Sequence, residues 1–110
     1  MDWGKTGHRV VAKLAQQYLT TKAQKEIDIL LDGASLVSIS TYGDEIKSNP
    51  KYKALRPWHY INLSLDESYA NAKKNPKGDV VMAIKKCIAK VKDQNEPKNK
   101  RAFYLKLLVH

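Results

Sequence analysis

The feature that most constrains this chain is the spacing of its apolar residues. From Val80 the sequence places Val80, Val81, Ile84, Cys87, Ile88 and Val91 at steps of three and four, which draws one apolar stripe down a helix of three turns. Asp79 stands where such a helix needs a cap. The same spacing recurs upstream. Val10, Val11, Leu14, Ala15, Tyr18 and Leu19 predict a first helix with one apolar stripe. Thr20 and Thr21 offer the next N-cap, with Gln24 three residues after Thr21 as in a capping box. Ala23, Ile27, Leu30 and Leu31 continue that helix, and Gly33 is its stop. A third helix is expected from about Ser35 to Lys47, with Leu36, Ile39 and Ile46 inward, ended by Asn49-Pro50. Pro97 suits the first turn of a last helix that carries Ala102, Phe103, Leu105, Leu107, Leu108 and Val109.

Between these the periodicity changes. Arg56-Pro57 breaks a helix, after which Ile61, Leu63 and Leu65 alternate with Tyr60, Asn62 and Ser64. That period of two predicts a short extended segment around residues 59–65 with one side buried. Residues 71–78, with Pro76 and Gly78, read as an exposed loop. The reading is an all-α, multi-helical fold in one domain, 110 residues being enough for a single modest core. No apolar run approaches the roughly 20 residues that span a bilayer. The last apolar run reaches His110 with no cap or polar tail, so the expectation is an N-terminal portion of a larger domain.

Composition narrows the chemistry. The only cysteine, Cys87, excludes an internal disulfide and a cysteine-rich zinc ribbon, which leaves His, Asp, Glu and backbone as metal donors. The net charge is +9, from 20 Lys and Arg against 11 Asp and Glu; this gathers polyanions, or it is simply a lysine-rich solvated surface. The three histidines each have a distinctive setting. His8 follows Trp3-Gly4-Lys5-Thr6-Gly7, His59 lies between Trp58 and Tyr60, and His110 ends an apolar helix. Asp44 falls in Ser40-Thr41-Tyr42-Gly43-Asp44-Glu45-Ile46-Lys47. A lone histidine is most often structural. Three imidazoles and a carboxylate that converged would suit zinc, but the gaps between these residues are too long for spacing to decide it.

These segments, taken in order, resemble the S1/P1 nuclease family. The opening Trp3-Gly4-x-x-Gly7-His8-Arg9, the segment from Ser40 to Lys47, Trp58-His59-Tyr60-Ile61-Asn62, Asp79-Val80-Val81-x-Ala83-Ile84 and Leu107-Leu108-Val109-His110 are each similar to a family motif. The resemblance implies a helical fold of the phospholipase C/P1 nuclease type, holding three zinc ions in a cleft. It implies Trp3 and His8 on one zinc, and Asp44, His59 and His110 on another. The family's remaining ligands, including an Asp four residues beyond the position of His110, are not in this sequence, so little or no activity is expected of these 110 residues. Asp44 and Lys47 are the implied catalytic residues, with Lys47, Tyr60 and Asn62 toward substrate. The implied activity is hydrolysis of single-stranded DNA and RNA by a secreted or periplasmic monomer. Two departures stand out. Met1 and Asp2 precede Trp3, whose nitrogen is then an amide and a poor ligand, and Gly43 stands where many relatives have Ala. A zinc phospholipase C-like hydrolase and a non-catalytic basic helical module that binds nucleic acid remain as alternatives.

Overall fold

A computed structural model describes residues 4–110. It contains six α-helices: α1 (Lys5–Gln16), α2 (Thr21–Leu30), α3 (Leu36–Ile39), α4 (Tyr42–Ile46), α5 (Val80–Lys92) and α6 (Lys98–Val109). A 3₁₀ segment, Pro50–His59, follows α4. There is no strand among the described residues, and no helix there is long and apolar enough to cross a membrane. Trp3, expected as a ligand, lies outside the described residues.

Helix α6 is the centre of the assembly. Every residue from Arg101 to His110 is at least partly covered, as expected of a helix apolar on most sides. It packs against α5 along its length and also meets α2, α3 and α4. The core brings together Ala12, Leu30, Leu31, Leu36, Ile39 and Leu105, with Val91 and Val109 against it. Three helix starts are capped by side chains: Thr20 accepts from the Ala23 amide, Ser35 from Ser38 and Asp79 from Met82. Asp79 is buried, and the Tyr69 hydroxyl donates to its carboxylate at 3.0 Å, so no lone pair of that acid is stranded. The capping box expected at Gln24 does not form. With Thr20 as the cap, Gln24 lies one residue too far along, and its Nε2 donates instead to Asp28.

Three expectations change in the folded chain. The first is the general one that an apolar stripe covers the core, from which α1 departs. Ala12 is its buried residue, whereas Val10, Val11, Leu14 and Tyr18 are exposed. The helix is turned by its contacts with α3, where Gln16 Oε1 accepts from the Leu36 amide, so the row His8, Ala12, Gln16 faces inward. The apolar stripe is real, but among residues 4–110 most of it is exposed, and Leu19 at its end packs against the core. The second is the helix of residues 35–47, which is two helices broken at Ser40-Thr41. The Ser40 hydroxyl bonds back to the Val37 carbonyl at 2.7 Å, and Thr41 takes φ −100°, ψ 6°, outside helical geometry. The third is the break expected at Arg56-Pro57. Pro57 sits inside the 3₁₀ segment, where i to i+3 bonding in short turns tolerates it, and the chain kinks earlier, at Tyr52.

The segment after His59 is extended at Tyr60 but has no ladder partner. The Val80 amide donates to the Tyr60 carbonyl at 3.1 Å, which pins the segment to the start of α5. Of the alternating residues, Ile61 is half-buried while Leu63 and Leu65 are exposed, so the one-sided burial stops after one residue.

Candidate metal centre

Four elements deliver one side chain each to a single place. His8 comes from the inward row of α1, Asp44 from α4, His59 from the end of the 3₁₀ segment and His110 from the end of α6. The histidine Nε2 atoms approach the Asp44 carboxylate from two sides, His8 at 3.6 Å from Oδ2 and His110 at 3.4 Å from Oδ1. One potential ligand atom from each of these three residues can be chosen so that all lie within 4.8 Å of one another. The rings of His8 and His110 stack at 4.2 Å, and His59 meets His110 edge-on with ring centres 5.3 Å apart.

The broken helix is what orients His110. In an unbroken helix the Ser40 carbonyl would accept from the amide four residues on. Here it faces His110 Nδ1 at 2.8 Å. A carbonyl only accepts, so Nδ1 donates to it, which leaves Nε2 to face Asp44. An imidazole held this way by a backbone carbonyl is the usual support of a metal-ligating histidine. Gly43, in the first turn of α4, lets that helix lie on the His110 ring. A Cβ there would fall 2.8 Å from His110 Cγ.

The donor set fits zinc. Two imidazoles and a carboxylate match its preference for nitrogen and oxygen, and at bond lengths near 2.0–2.1 Å the ligand atoms of a tetrahedral site are about 3.3 Å apart. The two Asp44–histidine separations are near that value, each to a different carboxylate oxygen, and one ligand atom per residue lies within 4.8 Å of the others, so the three side chains must draw together by up to about 1.5 Å to form three corners.

Around the cluster lies a cavity of about 1000 Å³. It is lined by the polar Lys47, Arg56, His59 and Asn62 and by the apolar Val80, Ile84, Leu107 and Leu108. Asp44 is the only acid that lines it among the described residues. Lys47 Nζ is 3.4 Å from Asp44 Oδ1, one helical turn along from it. Tyr60 and Asn62 are exposed at the cavity edge, joined to the site through His59 and the Tyr60–Val80 bond. Trp58, just before His59, is held by its indole donating to the Lys77 carbonyl, 3.2 Å, and packs on Gly78. Gly78 takes φ +102°, where a side chain would be strained and would meet Met82 and Trp58.

His8, which the resemblance places on a zinc with Trp3, stands with Asp44 and His110, and His59 meets the His110 ring beside them. Arg56 was missed as a cavity residue; its place before Pro57 and Trp58-His59 was the available signal.

A family model described as S1/P1 Nuclease matches residues 3–110. The chain belongs to the S1/P1 nuclease family. Among curated proteins it is similar to Endonuclease 4 of Arabidopsis thaliana, 32% identical over 63 residues, and to Endonuclease 2 of the same plant, 36% identical over 63 residues. Each match covers 54% of this chain and 21% of the relative, so this family member corresponds to a fraction of those proteins.

Cys87, on the cavity floor, is not part of this chemistry. It is 2% exposed, and burial pushes its thiol up to about 11. The thiolate fraction at pH 8 then falls about 100-fold relative to a thiol of pKa 9. A disulfide reagent at pH 8 is therefore expected to leave Cys87 unmodified in the native protein and to titrate one thiol after denaturation. Equal rates in the two states would contradict the burial.

Proposed function

We propose that this chain carries part of the active site of a zinc-dependent phosphodiesterase that cleaves single-stranded nucleic acid. The observation that carries the reading is the convergence of His8, Asp44 and His110, from three helices, in a cavity that Lys47 and Arg56 also line. Zinc held there would supply Lewis acidity toward a phosphodiester and lower the pKa of water. Asp44 offers the charge that offsets the metal, and the Ser40 carbonyl keeps His110 in its ligating tautomer. Lys47 and Arg56 place positive charge where the phosphate enters, and Tyr60 and Asn62 offer a ring and an amide to the nucleoside beside it. His59 would close the metal set, with Trp3 adding a further ligand as the family resemblance implies. Secretion of the whole protein belongs to the same reading.

The test is a calorimetric zinc titration of metal-stripped protein, paired with a cleavage assay on a labelled single-stranded oligonucleotide. Expected are zinc uptake that is lost in the His8→Ala/His110→Ala double variant, and slow cleavage that EDTA stops. Absence of zinc uptake, or cleavage indifferent to EDTA, would overturn the proposal.

One observation favours a second reading. The apolar lining of Val80, Ile84, Leu107 and Leu108 beside the cluster is what a lipid substrate of a phospholipase C-like enzyme would need. Turnover of phosphatidylcholine without cleavage of the oligonucleotide would decide for it.

A further inference from the structure

Asn99, Phe103, Lys106 and His110 follow one another on α6 at steps of four, three and four, so they form a single row along one face. His110 ends that row at the metal centre. Its other end opens into a separate depression of about 440 Å³, between α6, the start of α4 and the 3₁₀ segment. Three lysines line it, Lys51, Lys100 and Lys106, together with the rings of Tyr42, Tyr52 and Phe103, and no carboxylate does.

The rings are ordered against one another. Tyr52 stacks on Phe103 with centres 5.7 Å apart, and Tyr42 meets Phe103 edge-on at 6.0 Å. Lys106 lies over the Tyr42 ring at 5.1 Å and Lys51 over Tyr52 at 5.5 Å, which holds both ammonium groups at the rim by cation–π attraction. Among the described residues none of the three lysines has a carboxylate within 4 Å, in contrast to Lys90 and Lys98, paired with Glu96 and Asp32. Packing between helices accounts for the rings. It does not account for three lysines gathered around them in a concave surface with no ion-pair partner among the described residues.

Half-exposed aromatic rings interleaved with cations are the means by which proteins hold single strands: bases stack and phosphates pair, without reading sequence. We propose that this depression is a second nucleic-acid site, taking nucleotides of the strand outside the bond being cut. Phe103 is seven residues from His110, about 10 Å along the helix, which is about three nucleotides at a stacked spacing of 3.4 Å. The proposal rests on the nuclease reading above for the identity of the polyanion.

The test measures fluorescence anisotropy of a labelled twelve-residue oligothymidylate in EDTA, so that a metal contributes nothing. Lys51→Ala/Lys100→Ala is compared with Lys22→Ala/Lys25→Ala on the exposed side of α2, which removes the same charge elsewhere. The first pair is expected to lower the slope of log affinity against log salt by about 1.4 and to weaken binding roughly tenfold at low salt. The second pair should change binding less than twofold. The wild-type protein should also bind the oligothymidylate several-fold more tightly than an abasic strand of equal length. Equal effects of the two lysine pairs, equal binding of the abasic strand, or no binding by the wild type would overturn the site. A groove-specific loss alongside absent zinc-dependent cleavage would keep the site and remove the nuclease reading instead.

Discussion

Replacing Asp44 with Ala is expected to abolish zinc uptake at the cluster, lowering affinity by at least about 100-fold, more than the 10- to 100-fold typical of losing a residue that merely supports a ligand. The Asp44 carboxylate faces the Nε2 atoms of both His8 and His110, at 3.6 and 3.4 Å, and it is the one acid lining the cavity among the described residues. Without it two imidazoles remain beside Lys47 and Arg56, a set with no charge to offset a dication. Any metal-dependent cleavage should fall by a similar or larger factor, since several kcal/mol of charge stabilisation go with the metal. Asp44→Asn separates the causes: it keeps the size and the hydrogen-bond reach but not the charge, and should behave almost as poorly. Thermal unfolding should change little, because Asp44 is partly exposed and its ionic contacts lie near the surface. Calorimetry and the cleavage assay on the two variants check this. Unchanged zinc affinity in both would remove Asp44 from the site.

Gly43→Ala is the second large effect expected. It adds only one methyl group, so the sequence alone reads it as harmless. The structure puts Gly43 against the His110 ring, with Cγ 2.8 Å and Nε2 2.9 Å from where the new Cβ would stand. Backbone lies on one side and a ring fixed by the Ser40 carbonyl on the other, so α4 or the imidazole must move. Overpacking of this kind costs about 1–3 kcal/mol, and a ring displaced by several tenths of an ångström loses its bond to Ser40. Expected are a drop of several degrees in the thermal midpoint and about a tenfold loss of zinc affinity. A variant with wild-type stability and wild-type zinc binding would contradict the close approach of α4 to α6.

The helices were legible because helical periodicity is local: the stripes of α2 and α5 and the caps at Thr20 and Asp79 follow from neighbouring residues. The direction in which a stripe faces is not local. Val10, Val11 and Leu14 mark a helix face correctly, yet whether that face turns inward depends on what α1 meets, and α3 meets the other side through Gln16 and Leu36. The break at Ser40-Thr41 escaped for a related reason. Leu36, Ile39 and Ile46 keep helical phase across it, and only the competing bonds of the Ser40 hydroxyl and carbonyl reveal two helices. That break also explains why the site was only partly legible. Motifs named His8, Asp44, His59 and His110, but their grouping is set by how four elements cross, which spacing along the chain does not encode.

The outward stripe of α1 has a consequence for how the protein behaves in a tube. Copies bearing a charge of +9 repel one another while the ionic atmosphere is thin, and this repulsion keeps Val10, Val11, Leu14 and Tyr18 of different copies apart. The screening length shrinks from about 10 Å at 0.1 M salt to about 3 Å at 1 M. Salt therefore removes the barrier while leaving the oily faces as adhesive as before, and dilute buffer, which for many proteins invites precipitation, is the condition that keeps this one dispersed.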